Sequence, residues 1–148
     1  MYKISCIICL KNNQEWIKYF TSKIKKLELK YNIEFFIYEN NSTDETKNLL
    51  KEFIKNRKGK LFSEDEKIIK FDKIDLKRCQ YMTKIRNKLK NLHGILLSDY
   101  TWIIDSNIIF KDNLIDNFIN LSKNKVKMIT PFTICQSHRN HYYDTFAF

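Results

Sequence analysis

The chain has 148 residues, and 27 Lys and Arg against 17 Asp and Glu give it a formal net charge of +10. That length suits one domain, which would bury roughly two-thirds of the surface of its unfolded chain without help from disulfides or a structural metal. A composition of 43% hydrophobic and 14% aromatic residues excludes a disordered tail, and two glycines, Gly59 and Gly94, are too few for a P-loop or a dinucleotide-binding loop.

Short apolar runs alternate with segments of helical period. The run Ile4–Leu10 predicts a first strand. Trp16, Phe20, Ile24 and Leu27 then mark a helix. Ile33–Tyr38 predicts a second strand, and Leu49, Leu50, Phe53 and Ile54 a second helix. Ser42 followed by Glu45 has the form of a capping box for that helix. The polar stretch Asn56–Glu66 holds Gly59 and reads as a loop, followed by a strand at Lys67–Phe71.

Met82, Ile85, Leu89 and Leu92 give a third helix at spacings of 3, 4 and 3. Arg78 shares their stripe, whereas Arg86 lies about 80° from its centre at 3.6 residues per turn. An arginine on a packed stripe suits either an internal pair with a carboxylate such as Asp105 or a guanidinium reaching a diphosphate. Thr101–Ile104 predicts another strand, Leu114, Ile115, Phe118 and Ile119 a fourth helix capped by Asp112, and Val126–Thr130 a last strand. Strands apolar throughout and separated by helices predict one α/β domain over 1–148, with a mostly parallel sheet covered on both faces.

The charge is spread evenly. Residues 1–74 carry 16 basic and 11 acidic side chains and residues 75–148 carry 11 and 6, so neither half is a basic tail. No basic stripe interleaved with exposed aromatics suggests nucleic acid. Cys6 and Cys9 form a C-x-x-C inside a predicted strand, where side chains three apart face opposite ways, so neither a shared metal nor a redox pair is favoured. Reduced cysteines, no signal-peptide pattern and no apolar stretch of membrane-spanning length predict a cytoplasmic protein.

In open α/β sheets ligands bind beyond the carboxyl ends of the strands. Here those ends are rich in oxygen-bearing side chains: Asn12 and Asn13 after the first, Glu39 to Asp44 after the second, Asp105 to Asn107 after the fourth. Such a rim suits ribose hydroxyls or a hard cation.

Four strings carry a resemblance: KISCIICLKN at 3–12, FIYENNSTDET at 36–46, the Arg86-Asn87 pair, and WIIDSNIIF at 102–110. Together they resemble nucleotide-diphospho-sugar glycosyltransferases of the Rossmann-like GT-A fold. The ending, with PFTIC at 131–135 and YYDTF at 142–146, is most similar to the fungal capsule-associated α-1,3-mannosyltransferase-like group.

The resemblance implies a UDP- or GDP-linked sugar donor, a glycan or glycoprotein acceptor, and Mn²⁺ or Mg²⁺ as metal cofactor. By it, Cys9, Glu39, Asn40, Ser42, Arg86 and Asp105 would bind the donor. Asp105 and Asn107 would hold the metal, completed by His138 or His141. Arg78, Arg86 and Asp144 would act in catalysis, with Arg139 beside the leaving diphosphate. The motif's second aspartate is Asn107 here, whose carbonyl can coordinate a cation but brings no negative charge. That substitution, and a length short for a complete enzyme of this kind, leave two further readings: a non-catalytic nucleotide-sugar-binding relative, and a domain truncated at its C-terminus.

Overall fold

The computed structural model describes residues 1–65, 76–91, 97–124 and 127–129, with the side chains of Arg78 and Lys90 outside that description. Elements follow in the order β1 (Lys3–Leu10), α1 (Gln14–Glu28), β2 (Asn32–Asn40), α2 (Thr46–Lys55), β3 (Gly59–Glu64), α3 (Leu76–Lys90), β4 (Tyr100–Asp105) and α4 (Leu114–Ser122). The chain divides into two compact units, residues 1–109 and 110–148. In the second, the described helix is α4, which buries Ile115 and Ile119.

In the first unit four strands form a sheet in the order β3-β2-β1-β4, every pair parallel. Alternation along the strands builds two layers. On one face Phe35 of β2 and Trp102 of β4 meet Phe20 of α1 and Phe53 of α2. Ring centroids lie 4.9 Å apart for Phe35–Phe53, 6.1 Å for Phe20–Trp102 and 4.6 Å for the stacked Trp16–Phe20 pair. Each such contact contributes about 0.5–1.5 kcal/mol beyond burial of its area. On the other face Ile7, Phe36 and Tyr38 pack against Ile85 and Leu89 of α3, with Cys9, Phe62 and Tyr81 at the margin. Helices therefore cover both faces, as the apolar strands predict.

Four local expectations are corrected. Residues 59–64 of the predicted loop are strand β3, paired with β2 from Phe35↔Gly59 to Asn40↔Glu64. Gly59 is there for proximity: its φ is +139°, and a Cβ would stand 2.0 Å from the Phe35 carbonyl oxygen. An edge strand needs no continuous apolar run, which is why its polar sequence resembles a loop. The capping box does not form; α2 begins after Glu45 with no side-chain cap there, because Ser42 is engaged elsewhere. Likewise α4 begins after Asn113, not Asp112, with no side-chain cap at that residue. Of the last predicted strand, residues 127–129 are described and are not in a strand. The predicted strand at 67–71 lies outside the described residues. Among these, no helix is long and apolar enough to cross a membrane.

Candidate functional site

The strand order places a topological switch beside β1: the chain steps outward through β2 and β3, then returns to β4 on the other side. Ligand crevices of open α/β sheets form at such a point, over the carboxyl ends of the strands. Cys9 of β1 pairs with Tyr38 of β2 and Asp105 of β4, so the expected ends do converge.

The connections beyond β1 and β2 are laced together. Asn12 and Asn41 both take left-handed backbone, with φ of 48° and 51°. Asparagine tolerates this conformation better than most residues, which accounts for its use at both corners. The Asn12 N–H donates to Ser42 Oγ at 3.0 Å, and the Thr43 N–H returns a bond to Asn12 Oδ1 at 2.7 Å. The Asn13 N–H donates to Thr46 Oγ1 at 2.8 Å and the Gln14 N–H to Asp44 Oδ2 at 3.4 Å. The Thr46 hydroxyl, with the backbone N–H groups of Thr46 and Gln14, holds the Asp44 carboxyl below its ordinary value. Asn13 Nδ2 reaches Ser106 Oγ at 2.9 Å, tying in the β4 end.

These bonds have a chemical consequence. The amides leading into α1, the usual phosphate cradle of glycine-rich nucleotide sites, are spent on side chains of the neighbouring connection. The Asn12, Asn13 and Gln14 N–H groups are therefore not open to an anion, for which nearby side chains are the natural partners.

Those side chains surround a cavity of about 270 Å³ between the strand ends and α3. Cys9, Tyr38, Met82 and Ile85 form its apolar wall; Lys11, Asn40, Asn41, Tyr81 and Ser106 supply polar groups. Asn40 Nδ2 donates to the Tyr81 hydroxyl. Beside the cavity, Arg86 Nη2 and Asp105 Oδ1 form an exposed ion pair at 3.1 Å. Burial pushes the Cys9 thiol up to about 11, with Arg86 pulling it down and Asp105 raising it, so both charges act at the cavity wall. Helix α3 is also tied to the sheet by Lys88 on Glu64 at 2.8 Å, and Glu64 accepts from the Tyr38 hydroxyl at 2.8 Å.

Not every residue singled out in the sequence faces this cavity. Glu39 is fully buried, accepting from the Ser42 N–H at 2.7 Å and from the Ser63 hydroxyl. It shapes the turn that presents Asn40, as does Ser42. Asp105, the carboxylate considered as a partner for Arg78, pairs with Arg86. Asn107 is exposed at the end of β4. His138, Arg139, His141 and Asp144 lie outside the described residues, as does the Arg78 side chain.

Lys11, Tyr38 and Tyr81 escaped the sequence reading. Tyr81 left a signal, because it precedes Ile85 and Leu89 at spacings of four and so falls on the buried stripe of α3. A ring with a polar tip on such a stripe is a group to inspect.

Among the described residues no three His, Cys, Asp or Glu side chains gather in a metal cluster. A cation carried in by a diphosphate needs fewer protein ligands, one or two carboxylates with the rest from phosphate and water. Asp105 and the Asn107 carbonyl have the chemistry for that.

Residues 5–73 match the family model Glycosyl transferase family 2. The match runs from β1 through β3 and includes both laced connections and the Cys9 and Asn40 walls of the cavity. It supports a glycosyltransferase-type function on this Rossmann-like sheet. No curated protein matches the chain.

Proposed function

We propose that the chain binds a nucleoside diphosphate sugar over the ends of β1, β2 and β4 and transfers the sugar to a hydroxyl of a glycan acceptor. The observation that carries this reading is the cavity at the topological switch, with the Arg86–Asp105 pair next to its Cys9 wall. The base and ribose enter between Asn40 and the apolar wall of Cys9, Tyr38 and Met82. A cavity of about 270 Å³ suits a nucleoside and leaves diphosphate and sugar over the β4 end. Lys11 and Arg86 then face the diphosphate, where their charge offsets what develops on the leaving group.

Asp105 and Asn107 would hold a Mn²⁺ or Mg²⁺ ion brought with the donor, and that ion would supply further charge stabilisation to the diphosphate. His138, His141 and Asp144 stay in the proposal on the resemblance alone, and Arg78 on the resemblance together with its place on the helical stripe. On the same ground the capsule-associated α-1,3-mannosyltransferase-like group is the proposed subgroup.

Calorimetry with UDP and GDP, with and without Mn²⁺, tests the reading on the wild type and on Asp105→Ala. Binding of one nucleotide, strengthened by Mn²⁺ in the wild type and insensitive to it in the variant, is expected. Failure of the wild type to bind either nucleotide would sink the donor assignment.

A further inference from the structure

We infer that the edge of the sheet where its strands begin, opposite the cavity, is a docking surface for an anionic phospholipid bilayer. The inference goes beyond the glycosyltransferase reading and stands without it.

Every strand pair is parallel, so the chain enters all four strands at one edge and leaves them at the other. With strands about 4.8 Å apart, the entry edge is a line about 15 Å long. The Asn32 N–H donates to the Tyr2 carbonyl at 3.0 Å, the Asp99 N–H to the Lys3 carbonyl at 2.9 Å, and the Phe35 N–H to the Lys58 carbonyl at 2.9 Å. These bonds hold the four entering segments side by side.

Among the described residues nine large hydrophobic side chains are exposed, and four of them, Met1, Tyr2, Leu29 and Leu97, sit on these short segments. Leu29 is 80% exposed and Leu97 74%. Single exposed leucines are ordinary, but four apolar side chains on one short edge form a cluster. Exposed lysines stand around them: Lys25, Lys26 and Lys30 in or just past the last turn of α1, Lys55 and Lys58 likewise at α2. Lysines in a last turn offset the helix dipole, which accounts for Lys25, Lys26 and Lys55. It accounts for neither Lys58 nor the leucines.

The edge keeps a positive surplus. Arg57 is taken up by Glu28 at 2.7 Å and Lys3 by Glu34 at 3.9 Å. The five lysines then stand against Glu52 and Asp99, which leaves a surplus of three. Aliphatic side chains ringed by lysines match a bilayer interface, where the apolar groups enter the acyl boundary and the ammonium groups meet lipid phosphates. Nucleic acid calls instead for open aromatic faces. Tyr2, the ring exposed on this edge, already meets Tyr100 edge-on at 5.4 Å. A shallow cavity of about 410 Å³ between Met1, Tyr31, Asn56 and Lys58 gives room for a headgroup. Docked this way, the molecule holds its other cavity about 25 Å from the bilayer, the length of the eight-residue β1 at about 3.3 Å per residue.

Sedimentation with vesicles of phosphatidylcholine alone, or containing one-third phosphatidylserine, tests this at 150 mM salt with no nucleotide present. The wild type should bind the phosphatidylserine vesicles about tenfold or more tightly than the neutral ones. Leu29→Ser should weaken that binding about tenfold, and Lys25→Ala/Lys58→Ala about twentyfold, at about fivefold per lysine. Lys18→Ala, at the other end of α1 and paired with Glu15, should change it by less than about twofold. All these positions are exposed, and melting curves matching the wild type would show that the variants are folded. UDP calorimetry on the same variants should match the wild type, so the edge and the donor site are read separately. No binding, equal binding to both vesicles, an equal loss in Lys18→Ala, or no loss in Leu29→Ser overturns the inference. Release from the vesicles by a single-stranded oligonucleotide at equal phosphate concentration overturns it too, and makes the edge a nucleic-acid surface.

Discussion

Arg86 and Asp105 are both exposed, and an exposed ion pair contributes about 0–1 kcal/mol. That weakness suits a ligand site, since a diphosphate offers the guanidinium stronger, charge-assisted bonds than it gives up. Cys9, next to the pair, behaves oppositely. Its thiol is held protonated by burial, rising from 9.0 to about 11, and it is a wall and not a nucleophile at neutral pH. The linkage has a definite sign. Between pH 9 and 11 the unfolded chain releases the Cys9 proton before the folded one does, so the folded state binds more protons and stability falls as pH rises. Fully expressed, a shift of this size corresponds to about 2–3 kcal/mol. Urea unfolding at pH 8, 9, 10 and 11 should show that decline, and Cys9→Ser should flatten part of it. An equal slope in the variant would assign the loss to other groups. The buried Cys6 thiol, also raised by burial, contributes with the same sign.

At the scale of elements, β3 shows how a strand can hide in its sequence. Gly59 looks like loop punctuation, yet its role is close approach: a Cβ there would stand 2.0 Å from the Phe35 carbonyl oxygen. Gly59→Ala should therefore cost about 2–4 kcal/mol in urea unfolding, combining strained left-handed backbone with a clash against main chain. Lys60→Ala, one residue along the same strand, should stay within about 0.5 kcal/mol. Equal effects at the two positions would mean that β3 does not pack as described.

The other strands were legible because Ile4–Leu10 and Ile33–Tyr38 are buried enough to be apolar through most of their length, while Thr101–Ile104 buries Trp102 and Ile104 and stays apolar at the exposed Ile103. The helices were legible because each packs one face. What stayed hidden depends on long-range contacts. Ser42 has the local form of a cap, but its hydroxyl is taken by the Asn12 N–H, 30 residues away. Asn40 and Cys9 follow from the rule that strand ends bear ligands. Tyr81 does not, since no rule of spacing tells which helix lies over those ends.

For the unit spanning residues 1–109, the site depends on four elements being together: β1, β2, β4 and α3. A ligand bound there must stabilise the whole unit by mass action. At one hundred times its Kd, UDP should add about 2.7 kcal/mol, or about 12 °C in Tm for a unit of this size. A tenfold weaker Kd in Arg86→Ala would reduce the gain at the same concentration to about 1.4 kcal/mol. The net charge of +10 supplies the competing explanation, because any polyanion gathers at a basic surface. The two explanations separate by where the charge lies. It is even along the sequence, so a general effect should be reproduced by inorganic tripolyphosphate, should fade with added salt, and should survive Arg86→Ala. A site effect should need the nucleoside, hold at 150 mM salt, and weaken in that variant. Equal shifts with UDP and tripolyphosphate would place the interaction on the surface at large and take the cavity out of consideration.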